Sequence, residues 1–174
     1  MKNIFAATLL GASLIATGVA AQEQDSRLKT VLDRGSLLCS GHNGSFLGFA
    51  EVDDEGMWKG LDIELCQALA AGLFGTSEGH LEIVPISWAQ RWPALQSGDI
   101  DVVIKVSGWT QSRDTELNLQ FSRPYFIGAF QAMTKTELGA QSIADLDGGT
   151  ICVAAGTSTE RAAATYLQSK SIEA

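Results

Sequence analysis

The residues best suited to chemistry lie in Gly108-Trp109-Thr110-Gln111-Ser112-Arg113, with Phe121-Ser122-Arg123-Pro124-Tyr125 shortly after. An arginine presents a planar fork of donors that matches the two oxygens of a carboxylate, and neighbouring hydroxyls and backbone N–H groups complete such a shell. A second polar cluster, Gly156-Thr157-Ser158-Thr159-Glu160, has the spacing of a capping box. That pattern explains itself as a helix start, and the same exposed N–H groups and positive dipole end suit a carboxylate. Signals for catalysis are weak. His42 and His80 have no acid or nucleophile at a telling spacing, and Ser112 lacks the strand-to-helix glycine context of a hydrolase nucleophile.

These residues need elements to hold them. Ser26 to Arg34 reads as a short amphipathic helix stopped by Gly35, and Ser36 to Ser40 as a short apolar strand. A glycine-rich turn carrying Asn43 leads to Phe46 and Phe49, and Asp53-Asp54-Glu55-Gly56 is a turn signal. Apolar residues at 61, 65, 66, 69 and 73 mark a helix to Phe74. Leu81 to Ile86 alternates as a strand, and Ser87 with Gln90 opens a helix to Gln96, in which Pro93 is a local conflict. Ile100 to Ile104 reads as a β-branched strand buried on both faces. Strand, helix, strand, helix, strand implies a parallel α/β sheet, whose ligands bind beyond the carboxyl ends of the strands. Asn43 and Gly108–Arg113 both fall there, and Phe46, Phe49, Trp88, Trp92 and Trp109 are candidates to line a pocket or a core. After Tyr125, residues 126–134 read as a crossing strand, 142–146 as a helical turn, 150–154 as a short strand and 157–170 as a helix.

The ends and the composition bound the class. Residues 1–21 read as an export signal: Lys2 in a short charged start, an uncharged apolar run, and small residues before Gln22. The run is too short to span a bilayer, so the mature protein is expected to be exported and soluble. The formal net charge is −8, and removing the leader takes Lys2 with it. An acidic chain without a Lys/Arg cluster has no footprint for nucleic acid or anionic lipid. Cys39, Cys66 and Cys152 match no metal spacing, and no motif calls for a cofactor. Cys39 and Cys66 can face each other across a strand and a helix, and the three suit buried small hydrophobes equally well. No closing strand follows the last helix, so the chain reads as ending in the middle of a fold.

Leu95-Gln96-Ser97-Gly98-Asp99-Ile100-Asp101, the turn Thr110-x-x-Arg113 and Phe121-Ser122-x-Pro124-Tyr125, in that order, resemble family 3 of the extracellular solute-binding proteins. These are the periplasmic amino-acid receptors of ABC importers. Gly60–Cys66, Trp109–Thr115, and Thr150–Val153 with Ala155–Thr157 are similar to the general L-amino-acid-binding subgroup. The resemblance implies a periplasmic-binding-protein-like (type II) α/β fold of two lobes, incomplete here, with a parallel sheet and flanking helices in each. Lobe 1 would take residues 22–124 and a partial lobe 2 residues 125–174. It further implies that Arg113 holds the ligand α-carboxylate bidentately with Thr110 beside it, and that Thr157 and Ser158 add a hydroxyl and N–H groups from lobe 2. Asn43 would reach the ligand, Phe46 and Trp88 would wall the pocket, and the partners would be L-amino acids and the permease subunits of an importer, with the receptor a monomer. Gly108 stands where many members have a threonine, so Ser107 or Thr110 would have to replace that hydroxyl. A periplasmic enzyme of the dehydratase kind, or a sensor domain on the same scaffold, is the alternative. The acid that faces the ligand ammonium in the family comes from a later part of the fold. A buried ammonium without its acid loses several kcal/mol. The 174-residue chain is therefore expected to bind amino acids weakly or not at all, and calorimetry giving micromolar affinity would contradict this.

Overall fold

A computed structural model describes residues 26–173. The export signal expected over residues 1–21 lies outside them. Helix α1 (Arg27–Arg34) begins where the Ser26 hydroxyl accepts from Lys29 N and ends at Gly35, as its pattern requires. Strand β1 (Leu37–His42) follows, then the short antiparallel pair β2 (Glu51–Val52) and β3 (Trp58–Lys59) around the Asp53–Gly56 turn. Helix α2 (Leu61–Phe74) leads to β4 (Leu81–Ile86), which lies parallel to β1 with Leu37 opposite Leu81 and His42 opposite Ile86. Helix α3 (Arg91–Ser97) starts later than the sequence suggests. Ser87 and Gln90 do exchange the reciprocal bonds of a capping box, and Pro93 then falls in the first turn, where its missing N–H costs nothing.

Strand alternation sorts the core onto two faces. Leu37 and Leu81 pack with Val31 of α1 and Ala70 and Phe74 of α2. Val84 and Ile86 pack with Ala94 of α3 and with Ile100 on the opposite side. Cys39 and Cys66 resolve the open alternative: they form a disulfide, with Cα atoms 6.1 Å apart, that ties β1 to α2. Cys152 is free and exposed. Gly41 in β1 has no room for a side chain, because a Cβ would stand 2.7 Å from Ile83 Cγ2.

The strand expected over Ile100–Ile104 is present in place and only partly in bonding. Val102 forms a single parallel bridge with Cys39, while Asp101 N donates to Leu38 O at 2.8 Å and Ser40 N to Val102 O at 3.1 Å. Further along, the Ser40 hydroxyl accepts from Ile104 N at 2.9 Å and donates to Ile104 O at 3.2 Å. A side chain thus completes the edge where the backbone ladder stops. Asp101 fixes the entry to this segment. Its nearly buried carboxylate accepts from Leu38 N at 2.8 Å and pairs with Arg34 and, at 3.8 Å, Arg27 of α1. Beyond Ile104, Val106 adopts φ 37, a costly conformation for a β-branched residue. Its N–H donates to Tyr125 Oη at 3.0 Å, and that hydroxyl donates to Asp62 Oδ1 of α2 at 2.9 Å.

The later segments differ from expectation. Residues 126–134 and 150–154 carry no strand. A strand needs a neighbour for its N–H and C=O groups, and among the described residues nothing pairs with either segment. Phe126, Ile127, Phe130 and Met133 are correspondingly exposed. Elements that close their own hydrogen bonds do form: a 3-10 turn at Ile143–Leu146 and helix α5 (Ser158–Lys170). Among the described residues no helix is long and apolar enough to cross a membrane.

Two outcomes test this account. Reducing the Cys39–Cys66 bond, which closes a loop of 27 residues, should lower the unfolding free energy by about 3–4 kcal/mol in denaturant titrations with and without reductant. Asp101→Asn keeps the shape and removes the charge, and should cost about 2–3 kcal/mol in the same assay.

Candidate functional site

The parallel arrangement brings three strand ends to one edge: the loop after β1, the turn after β4, and the segment from Lys105 to Arg113. In the last of these, Thr110 is extended and caps the short helix α4 (Gln111–Thr115), its hydroxyl accepting from Arg113 N at 3.3 Å. That cap turns the Arg113 side chain inward, and Arg113 is 8% exposed. Its Nη1 donates to Gly108 O at 2.6 Å, its Nη2 reaches Gly156 O at 3.5 Å, and its guanidinium lies 5.0 Å from the centre of the Trp92 ring. Burial, and then the Arg161 charge, lowers its pKa from the ordinary arginine value.

Opposite stands the start of α5. Thr157 caps it by accepting from Glu160 N at 3.1 Å, and the Glu160 carboxylate reaches back to Gly156 N at 2.7 Å. The capping-box reading therefore holds, with the return bond one residue earlier than usual. Ser158 comes against Gly108: a Cβ on residue 108 would stand 3.2 Å from Ser158 Oγ. The hydroxyl missing at Gly108 is matched in space by one from the facing segment. Thr110 Oγ1 and Ser112 Oγ lie 3.3 Å apart, and Arg161 Nη1 donates to Ser112 Oγ at 3.4 Å.

Together these residues line an open crevice of about 1010 Å³, with Trp92, Gly108, Thr110 and Arg113 on one side and Thr157 and Ser158 on the other. Of the residues singled out from the sequence, Arg113, Thr110, Gly108, Thr157 and Ser158 are thus brought together. Asn43, Phe46 and Trp88 are not among those lining the crevice. Asn43 lies exposed in the turn after β1. Phe46 stacks on His42 at 5.3 Å and meets the Trp88 edge at 6.1 Å, a neighbouring aromatic wall.

Arg91 and Lys105 are the residues that reading the sequence passed over. Both are 1% exposed. Arg91 donates to Trp88 O and, at 3.1 Å, to Gly156 O, and stacks over the Trp88 and Trp92 rings at 5.3 and 4.5 Å. Lys105 Nζ donates to Gly41 O at 3.1 Å and lies 4.8 Å from the Trp88 ring centre. Burial, with a smaller effect of Arg113, lowers the Arg91 pKa to about 10. Burial, then Arg91, lowers that of Lys105 to about 8 against an opposing pull from Asp62. The signal was available: an arginine within Trp88-x-x-Arg91-Trp92, and a lysine where the apolar run Val102–Ile104 ends. Among the described residues none of Arg91, Lys105 and Arg113 forms an ion pair within 4.0 Å of a carboxylate. Ring faces and backbone carbonyls hold these charges instead, an arrangement suited to receiving an anion. No cluster of metal-ligating side chains occurs among the described residues.

Known proteins resemble this chain in sequence and in fold. The chain is 37% identical over 171 residues to the glutamate/glutamine/aspartate/asparagine-binding protein BztA of Rhodobacter capsulatus, covering 98% of this chain and 49% of that one. It is 34% identical over 173 residues to the general L-amino acid-binding periplasmic protein AapJ of Rhizobium johnstonii, covering 99% and 50%. The chain spans about half the length of the curated relatives it matches. Among solved structures, a periplasmic binding protein from Brucella ovis with glutathione bound superposes with a TM-score of 0.72 at 37% identity, over 84% of this chain and 46% of that one. The ancestral amino acid-binding protein AncCDT-1, a precursor of cyclohexadienyl dehydratase, gives 0.73 at 30% identity over 82% and 62%. Residues 38–165 match the bacterial extracellular solute-binding proteins, family 3. With its parallel sheet, its crevice at the strand ends and this match over most of its length, the chain belongs to that family.

Proposed function

We propose that this chain supplies the carboxylate-gripping part of a periplasmic amino-acid receptor that delivers to an ABC importer. One observation supports this above the others: Arg113 is a buried guanidinium at a crevice wall whose acceptors are two backbone carbonyls, with no carboxylate among the described residues within ion-pair distance. A ligand carboxylate offers two charged acceptors in one plane and makes stronger hydrogen bonds than the carbonyls it displaces. Thr110 sets the arginine's direction, while Thr157, Ser158 and the first N–H groups of α5 face it from the other side, where the helix dipole favours an anion. The two facing segments support the expected division into a lobe over residues 22–124 and a partial lobe over residues 125–174. Relatives named for general L-amino acids and for glutamate, glutamine, aspartate and asparagine support L-amino acids as the ligand class, a periplasmic site of action and permease subunits as partners. Binding without chemical conversion is the reading that these relatives favour.

The test is an NMR titration of the 174-residue chain with millimolar L-glutamine, which reports weak occupancy as readily as tight. The Arg113 Nε–H resonance and the amides of Ser112, Thr157 and Ser158 should move together. Arg113→Lys keeps the charge and loses the fork, and should weaken the response about 10- to 100-fold. Shifts confined to residues away from the crevice would refute the reading.

A further inference from the structure

Among the described residues Arg113 is one of three buried arginine and lysine cations, and the other two have no assigned role. From Lys105 to Arg113 cations and indole rings alternate: Lys105 and Arg91 both lie over Trp88, and Arg91 and Arg113 both lie over Trp92. Arg91 and Arg113 also converge on one oxygen, Gly156 O, at 3.1 and 3.5 Å. The Arg91 Nε is buried and has no hydrogen-bond partner. Like charges held this close repel, and each has lost most of its water. The buried acid that acts on this group is Asp62, which pulls on Lys105; its Oδ1 already accepts from Tyr125 while His42 Nε2 stands 3.8 Å from its Oδ2. Asp62 can offset at most one of the three charges. The region is therefore an excess of positive charge inside a chain whose net charge is −8.

We propose that Arg91 and Lys105 form a second anion-holding centre beside Arg113, so that the crevice favours an amino acid carrying a second acid group in its side chain. The inference rests on the reading of Arg113 as the grip for the first carboxylate. Gly156 O marks where the two centres meet: a carboxylate oxygen in its place receives from both guanidinia at once, and carries the charge that a carbonyl lacks. Trp92 and Gly156, which both touch Arg91, line the crevice, so the second centre adjoins the open space. Lys105 extends the positive region past Trp88. The groups facing its ammonium are Arg91 from α3, Asp62 from α2, the Gly41 carbonyl from β1 and the Trp88 ring. Since the Lys105 pKa is lowered to about 8, its charge is present at neutral pH and fades as the solution is made alkaline. A second carboxylate bound nearby should raise that pKa again.

Two probes differing only in the side-chain charge test this, L-glutamate and L-glutamine, titrated into the 174-residue chain while the Arg91 and Arg113 Nε–H and Trp88 indole resonances are followed. Glutamate should reach half-saturation at about a tenfold lower concentration than glutamine at pH 7, with the Arg91 Nε–H shifting for glutamate alone. That preference should fall to about twofold in Lys105→Met, and in the wild-type chain between pH 7 and pH 9.5, as the lysine loses its proton. Arg91→Met should do the same, and the lysine variant answers the question if the arginine variant fails to fold. Equal binding of the two ligands with Arg113 responding to both overturns the second centre and leaves the carboxylate grip standing. An unchanged preference in Lys105→Met with a pH-independent ratio also overturns it. If neither ligand moves Arg113, both the grip and the second centre fall.

Discussion

The structure depends on β1 having both edges occupied. One edge bonds in register to β4 along all six residues, and the other is taken by residues 101–104 through one bridge, Asp101 and the Ser40 hydroxyl. An extended segment left with an open edge in a buried layer would strand its N–H and C=O groups at a cost of the order of 1–3 kcal/mol each. Because both neighbours run parallel to β1, their carboxyl ends meet on one side. The loop that follows His42, the turn holding Trp88 and the segment from Lys105 to Arg113 therefore emerge together. The disulfide from Cys39 to Cys66 anchors α2 to this strand, which places Asp62 against Tyr125 and, through it, Val106.

Electrostatics at that edge run against the composition. The chain is acidic, yet Arg113 and Arg161 line the crevice and Arg91 and Lys105 lie buried behind it. Local carboxylates would have neutralised these groups and closed the site to an external anion. Carbonyl oxygens and indole faces hold Arg91, Lys105 and Arg113 with weaker, more readily exchanged interactions, leaving these cations underused. Gly108 fits the same logic, since the absence of a side chain lets Ser158 approach and lets the Gly108 carbonyl face Arg113.

The two halves of the chain differ in what completes them. Through Leu119 the chain has buried residues on both sides of a sheet, whereas from residue 120 onward the described residues are exposed or only partly buried. Helix α5 forms there because its capping groups and its own i to i+4 bonds are local. Residues 126–134 and 150–154 have the composition of strands, but pairing is a property of two segments and not of one.

Much of the first half was legible in the sequence. Helix starts and stops at Ser26, Gly35, Gly75 and Thr157 follow from capping chemistry, and the strand–helix alternation implied the parallel sheet that β1 and β4 form. Arg113 stood out by its place after a strand end with Thr110 and Ser112 beside it, since an arginine in a polar loop is by itself usually a solvated charge. Asn43, Phe46 and Trp88, expected at the ligand from the family resemblance, lie outside the crevice lining, because residues at neighbouring strand ends share an edge without sharing a direction. Tertiary structure alone decided that Cys39 meets Cys66, that Ser158 fills the space above Gly108, and that Arg91 and Lys105 lie buried beside Arg113. Local sequence fixes which bonds a segment can make with itself. Which distant charge shares a ring face or a carbonyl depends on how separate segments pack, and no spacing along the chain records that.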